Sequence, residues 1–272
     1  MYLCDYHSHS TASPDGRATI AEMTKAAIDA GLSEFCITDH AECAGFFERG
    51  DLPPGLVFYK ARVDEQFAEA QSLYGDQIRL LYGIEVAQGH EAPCFHKDMV
   101  NIPCDFTLGS LHNLRGKPDF YYMKGFASKE ECEALLTQYV NELFEIVALG
   151  GFDCLAHITY PLRYMKYKYG YDVSMDAFEE EIRTLLKILI EKGIGIELNV
   201  SGLRDGGNVT FPEIGLLKLY RSLGGEIITV GSDAHYPRHV GIGIAKGYEM
   251  LKEAGFTHVT TFKNRKPSFV KI

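Results

Sequence analysis

The chain has 272 residues, is 46% hydrophobic and 24% charged, and carries a formal net charge of -10, the profile of a soluble globular protein. The acidic balance, with only a short basic run at Lys263 to Lys266, argues against a general nucleic-acid binder, which must neutralise phosphates. The seven cysteines include no C-x-x-C pair, no apolar run approaches the ~20 residues of a membrane span, and the amino terminus lacks a signal-peptide pattern, so a disulfide framework, a thiolate zinc site and a membrane span are excluded and a cytoplasmic setting is expected.

In chain order, Tyr2, Leu3 and Cys4 read as a short strand that delivers His7 and His9. Residues two apart in extended chain share a face, so both imidazoles can reach one ion. Thr19 with Glu22 forms a capping-box pattern, and Ile20, Met23, Ala27 and Ala30 keep helical spacing up to Gly31. Residues 34–38 read as a buried strand ending at Asp39 and His40. A helix is expected from Tyr59 to Tyr74, with Val63, Phe67, Ala70 and Leu73 on one face. Residues 78–84 form the next strand, followed by Glu85, and residues 88–103 are irregular with one helical turn.

A strand over 106–108 leads to His112. Ser128 with Glu131 is a second capping-box pattern, opening a long helix that stops at Gly150 and Gly151. Residues 152–156 form a strand before His157, and the loop 158–172 carries Arg163 among four tyrosines. A helix over 175–192, a strand over 194–198 closed by Asn199, and a helix from Pro212 to Leu223 follow. A strand over 226–230 precedes Gly231-Ser232-Asp233-Ala234-His235. A helix over 242–254 and one further strand over 257–262 complete the chain.

About seven β-then-α units imply a parallel sheet. The expected architecture is a single α/β domain over 1–272, a barrel like the (β/α)8 fold but one unit short, with a doubly wound open sheet as the alternative. In the barrel every candidate ligand sits at the carboxyl end of a strand, the face on which such barrels build active sites. The candidates are His7, His9, His40, Glu85, His112, His157, Asp233, His235 and Asp15, the last in a turn-like Ser-Pro-Asp-Gly stretch. Imidazole and carboxylate without thiolate suit zinc, manganese or iron, and so many groups fit two or three ions. His90, His96, His239 and His258 do not follow strand-like runs. Asp39 is expected to be structural.

The ordered set His7-Ser8-His9-Ser10, Ile37-Thr38-Asp39-His40, Tyr82-Gly83-Ile84-Glu85, Leu108-Gly109-Ser110-Leu111-His112, Ala156-His157, Glu197-Leu198-Asn199 and Gly231-Ser232-Asp233-Ala234-His235 resembles the polymerase-and-histidinol-phosphatase (PHP) family. Chain length and the long loops after Glu85, His112 and His157 resemble its monofunctional histidinol-phosphate phosphatases. The resemblance implies a distorted (β/α)7 TIM-like barrel with three divalent metal ions. His7, His9, Glu85 and Asp233 would hold the first. Glu85 would bridge to a second, held also by His112 and His157. Asp15, His40 and His235 would hold the third, although some members carry a histidine where this chain has Asp15.

The implied activity is hydrolysis of L-histidinol phosphate to L-histidinol and inorganic phosphate, a step of histidine biosynthesis, with Glu85, Asp233 and His235 in the catalytic centre. The physics agrees. Divalent ions facing Glu85, Asp233 and Asp15 leave a cationic hole for a phosphate dianion in an acidic protein. Two ions sharing Glu85 can share a hydroxide, because metal binding lowers the pKa of water towards ~7. Arg163 and Arg204 are expected to grip phosphate oxygens, and His239 is a weaker candidate for substrate contact. The acidic groups of the loops would tolerate a substrate ammonium. The expected partner is a small-molecule phosphate ester, with neither nucleic acid nor membrane expected. Alternatives are another phosphatase of the family, acting on phosphotyrosine or nucleotides, and a metal-binding regulatory domain without catalysis.

Overall fold

The computed structural model describes residues 2–43 and 60–272. Seven strands form one sheet in the order β1 (Cys4–Asp5), β2 (Glu34–Glu42), β3 (Arg79–Ala87), β4 (Phe106–Ser110), β5 (Cys154–Leu155), β6 (Gly195–Asn199) and β7 (Ile228–Gly231). Every neighbouring pair is parallel. The sheet closes on itself just beyond β1. Tyr6 N–H donates to the Val230 carbonyl at 2.9 Å, Asp233 N–H to that of His7 at 2.8 Å, and His9 N–H to that of Ala234 at 2.8 Å. The result is a distorted (β/α)7 barrel. The open-sheet alternative fails on this closure.

The inside of the barrel is layered. Inward side chains follow a period of two, and the inward row of β2 runs Cys36, Thr38, His40, Glu42. Register sets Cys36 beside Leu81 of β3 and His40 beside Glu85. Cys36 and Leu81 belong to a fully buried apolar layer with Cys4, Tyr6, Phe106 and Cys154. His40 and Glu85 stand two pleats above it. The layer is plugged by Phe262 from an antiparallel hairpin, β8 (His258–Lys263) and β9 (Lys266–Lys271). The Phe106 ring packs on Phe262 at 4.9 Å and edge-on to Tyr6 at 5.0 Å. The Phe262 N–H donates to the Tyr6 hydroxyl at 2.7 Å, and that hydroxyl donates onward to Glu34. A dry floor under the ligand layer keeps water from the back of the site.

The outer shell is helical: α1 (Ile20–Asp29), α2 (Lys60–Tyr74), α3 (Pro93–Val100), α4 (Lys129–Leu149), α5 (Glu179–Glu191), α6 (Ile214–Ser222) and α7 (Ile244–Glu253). The Thr19/Glu22 capping box forms as expected, a feature worth ~1 kcal/mol. The Ser128 box is half formed: Ser128 Oγ accepts from Glu131 N–H, but the Glu131 carboxylate takes the Ala127 N–H instead. α5 buries Ile182, Leu185, Leu186 and Leu189, each contributing about 1.5–3 kcal/mol. None of the described helices is long and apolar enough to cross a membrane.

Several boundaries depart from the sequence expectation. His40 and Glu85 lie within strands, because β2 and β3 extend to Glu42 and Ala87 and share a nine-pair ladder. The helix expected from Tyr59 is present over Lys60–Tyr74, and Tyr59 itself lies outside the described residues. On α2 the expected apolar position Leu73 is 53% exposed, and Gln66 is buried instead, its side-chain oxygen accepting the Ile20 N–H at 3.0 Å. The single turn expected over 88–103 is the eight-residue α3. The loop after His157 contains a π-helical turn, Arg163–Lys168. α6 starts at Ile214 rather than Pro212, since Glu213 is still extended (φ -70°, ψ 163°). β9 had no counterpart in the expected elements.

Candidate metal centre and phosphate pocket

The carboxyl-terminal mouth of the barrel opens into a cavity of about 580 Å³ lined by His40, Glu85, His112, His157, Asp233, His235 and Asp15, with Arg163, Arg204 and His239 at its wall. His7 and His9 lie beneath it, fully buried. All the candidate residues named from the sequence are thus gathered in one place. The backbone is strained where two of them sit: Asp233 has φ 55° and His157 φ 21°. Such conformations cost energy and persist where the surroundings dictate them.

Glu85 stands at the centre, with its two oxygens facing different neighbours. Oε2 lies 3.4 Å from His7 Nε2 and 3.6 Å from His9 Nε2. Asp233 Oδ1 completes that group, at 3.9 and 3.7 Å from the same two nitrogens. Oε1 lies 3.1 Å from His112 Nε2 and 3.1 Å from His157 Nε2, which are themselves 3.3 Å apart. Ligands on a tetrahedral ion with bonds of ~2.0–2.1 Å stand about 3.3–3.4 Å from one another. The spacings around Glu85, from 3.1 to 3.9 Å, bracket this value on both sides of the one carboxylate. A third group gathers on the outer side. Asp15 Oδ2 lies 3.0 Å from His235 Nε2 and 3.6 Å from His40 Nε2, and the His9 ring stacks between His40 and His235 at 4.1 and 4.2 Å. Cation-sized clusters form from His7, His9 and Glu85, from His40, Glu85 and His112, and from His9, His40 and His235. His40 belongs to two of them, since its Nδ1 also approaches Glu85 Oε2 at 2.9 Å.

Carboxylates behind the rings fix which nitrogen faces the cavity. The His7 Nδ1–H donates to Glu197 Oε1 at 2.7 Å, and the His112 Nδ1–H to Glu42 Oε1 at 3.0 Å. Each Nε2 lone pair is thereby turned towards Glu85. Glu197 also takes the His157 N–H at 2.9 Å through Oε2. Gly231 makes room for this: a Cβ there would stand 2.2 Å from Glu197 Oε1 and 2.4 Å from His7 Cβ. Asp39 is structural, as expected, holding Ser10 N–H, Ser10 Oγ and Ser13 Oγ at 2.6–2.8 Å.

The charges of the cluster are mutually dependent. Burial pulls the His7 pKa down, but Glu197, then Glu85 and Asp233, hold it well above its ordinary value. Burial likewise opposes His112, which Glu85 and Glu42 push up to about 10. His9 is held well below the usual value by burial and by the neighbouring His40 and His235. Burial raises Glu85, yet His7, His112 and His40 hold it well below the carboxylate range; Asp233 behaves in the same way with His7 and Arg163. Buried polar atoms stay without hydrogen bonds at His7 Nε2, at both His9 nitrogens, at Asp15 Oδ1 and at Glu85 Oε2. A cation among these unpartnered atoms would satisfy them, taking the place of the protons that otherwise hold His7 and His112 beside Glu85. The donor set, nitrogen and oxygen without sulfur, fits zinc, manganese or iron.

Arg163 lies over the Phe211 and Tyr160 rings, 4.8 and 5.5 Å from their centroids. Its Nη2 donates to Asn199 Oδ1 at 3.3 Å, Asp233 Oδ2 at 3.3 Å and Ser201 Oγ. Arg204 Nη2 donates to the Asp233 carbonyl at 2.6 Å and to that of Ser232, which ties it to the loop after β7. His239 packs edge-on to Tyr236 at the rim.

Sequence reasoning missed Glu42 and gave Glu197 no role, although the period-two rows that contain His40 and Asn199 point to them. It also missed Asp119 and Tyr160 on the cavity wall. The Tyr160 hydroxyl donates to Asp119 Oδ1 at 2.9 Å, and burial pushes the Asp119 carboxyl up to about 6.

The PHP domain family model matches residues 5–201. Among curated relatives, "Probable histidinol-phosphatase" of Thermotoga maritima is 28% identical over 257 residues, covering 94% of each chain. The histidinol-phosphatase of Lactococcus lactis is 28% identical over 269 residues, covering 98% of this chain and 96% of its own. The crystal structure of the L. lactis histidinol phosphate phosphatase, complexed with zinc, L-histidinol and phosphate, superposes with a TM-score of 0.78 at 24% identity over 98% of both chains.

Proposed function

The chain belongs to the PHP domain family, and on that premise we propose that it hydrolyses L-histidinol phosphate to L-histidinol and inorganic phosphate. The observation that carries the reading is Glu85, whose two oxygens serve two histidine groups at ligand-edge spacing beneath a cavity walled by two arginines. The nearly full-length likeness to histidinol-phosphatases points to the substrate.

We assign His7, His9, Glu85 and Asp233 to one ion, Glu85, His112 and His157 to a second, and Asp15, His40 and His235 to a third. Bound divalent ions would supply Lewis-acid charge for the phosphoryl oxygens and the means to activate water near neutral pH. The chain's own residues do the rest. Glu197 and Glu42 hold His7 and His112 in the tautomer that presents Nε2. Arg163, anchored along one edge by Asn199, Ser201 and Asp233, adds fixed positive charge where the phosphoryl group develops negative charge. The dry floor of Phe106 and Phe262 limits the water that competes for these groups. All seven cysteines are free, which supports the reducing cytoplasm as the setting. A role in histidine biosynthesis follows from the proposed substrate.

The test is a panel of phosphomonoesters given to the purified protein. Here kcat/KM for L-histidinol phosphate should exceed that for phosphotyrosine and nucleoside monophosphates by orders of magnitude. Faster turnover of phosphotyrosine or of a nucleotide would move the activity to another branch of the family.

A further inference from the structure

We propose that Asp119 is a specificity-determining residue that receives a cationic nitrogen of the leaving alcohol, and this rests on the phosphomonoesterase reading above. The cavity is lined by two kinds of group: the guanidinium groups of Arg163 and Arg204, and Asp119 with the rings of Tyr121, Tyr160 and Tyr164. Asp119 is only 7% exposed. Its Oδ1 is committed to the Tyr160 hydroxyl at 2.9 Å and the Tyr121 N–H at 2.8 Å. Its Oδ2 accepts no hydrogen bond, and the carboxylate forms no ion pair, among the described residues. Arg163 on the same cavity lining makes its ion pair with Asp233, not with Asp119.

Burying this carboxylate is costly, and His112 with the two hydrogen bonds at Oδ1 offsets only part of that cost, while Oδ2 is left to the cavity. A ligand cation at Oδ2 would offset that cost. Distance decides which part of the ligand it meets. The Tyr160 ring centroid lies 4.9 Å from that of His157 and 5.4 Å from that of His112, and Asp119 lies beyond the far end of that ring. The contacts run from Glu85 through His157 and Tyr160 to Asp119, which places its carboxylate outside the histidines and on the side of the alcohol. Tyr121 supports the assignment. It is 60% exposed at this wall, edge-on to Tyr122 at 5.0 Å and to Tyr164 at 6.5 Å. An aromatic face beside a buried carboxylate favours an ammonium or imidazolium over a neutral or anionic group. The ligand class is a phosphate monoester with its cation a few bonds from the ester oxygen.

The experiment compares wild type with Asp119→Asn in the metal-loaded protein, using L-histidinol phosphate and phosphoethanolamine as cationic esters and phenyl phosphate and ethyl phosphate as uncharged counterparts. Asparagine keeps the Oδ1 acceptor for Tyr160 and Tyr121. The cationic-to-neutral ratio of kcat/KM should fall about 10- to 100-fold in Asp119→Asn, the range expected for a lost charge-assisted contact, and mainly through KM of the cationic esters. An unchanged ratio, with both kinds of ester losing activity together, would overturn the proposal and leave Asp119 a structural residue. The wild type alone provides a second check should the variant fail to fold: equal kcat/KM for phosphoethanolamine and ethyl phosphate would overturn the proposal. The two readings fail separately. Preference for cationic esters other than L-histidinol phosphate sinks the substrate and keeps Asp119; hydrolysis without preference for a cation sinks Asp119 and keeps the phosphatase.

Discussion

Replacing Glu197 by Gln probes the centre without touching a proposed ligand. Glu197 is fully buried and supports two groups at once: Oε1 takes the His7 Nδ1–H at 2.7 Å, and Oε2 takes the His157 N–H at 2.9 Å and the Asn199 side-chain amide at 3.2 Å. His7 and His157 face opposite oxygens of Glu85, so one substitution disturbs both shells. Glutamine keeps the size but not the charge. Its amide can accept from His7 or from the His157 N–H with its single oxygen, and must turn an N–H towards the other. One charge-assisted bond of ~1.5–3 kcal/mol is lost, and the carboxylate that most strongly raises the His7 pKa disappears. Loss of such a supporting partner typically costs 10- to 100-fold in metal affinity. Chelator competition on Glu197→Gln should show that weakening, with kcat/KM falling in parallel and recovering partly in excess zinc. The apo variant should keep its circular dichroism, because the floor below is apolar and independent. Wild-type metal affinity and activity in a folded Glu197→Gln protein would refute the view that this carboxylate sets the His7 tautomer.

Arg163→Ala should raise KM and lower kcat, with kcat/KM for L-histidinol phosphate down by about 10- to 100-fold, consistent with loss of a charged contact to phosphate; Arg204→Ala should act in the same direction, and unaltered steady-state constants in both would remove the arginines from the site. His96 gives a pH test remote from the metals: burial lowers its pKa, while the Gly150 carbonyl at 2.8 Å partly opposes the shift. The unfolded chain then binds the extra proton first, so stability falls as pH drops from ~6.5 to the lower folded pKa. Thermal unfolding between pH 5 and 8 should lose this acid-side slope in His96→Asn, and an identical slope in wild type and variant would contradict it. Phe262→Ala should cost about 3–5 kcal/mol in urea unfolding, because it empties the floor of the barrel, and a loss below ~1 kcal/mol would show that the hairpin is not the plug.

The barrel and the ligand cluster were legible because both write themselves locally. Each strand is a short apolar run, and the candidate ligands stand inside its carboxyl end (His40, Glu85) or a few residues beyond it, Asp15 alone lying well out in a loop, so order along the chain becomes position around the mouth. Glu42 was equally legible in principle, as the next inward position after Cys36, Thr38 and His40. The expected strand over 34–38 stops short of it, whereas β2 runs on to Glu42. Asp119 and Tyr160 were not legible. Their contact joins two long loops 41 residues apart in sequence, and neither loop has a period that fixes which side chain turns inward. β9 was hidden for another reason. It is almost wholly exposed, carries Pro267, and pairs only with β8 through a turn whose residues Asn264 and Arg265 both adopt positive φ, 49° and 65°. A strand with no buried face leaves no alternation to read.

The central claim is that Glu85 joins ion sites that hydrolyse a phosphomonoester. The most direct measurement is phosphate release from L-histidinol phosphate by the purified protein, before chelation, after chelation, and with zinc, manganese, iron or cobalt restored, run beside Glu85→Gln. The account predicts rapid release that chelation abolishes and metal restores, with more than one ion per chain by elemental analysis and a loss of both ions and activity in Glu85→Gln. Chelator-insensitive release, or full activity in Glu85→Gln, would contradict it.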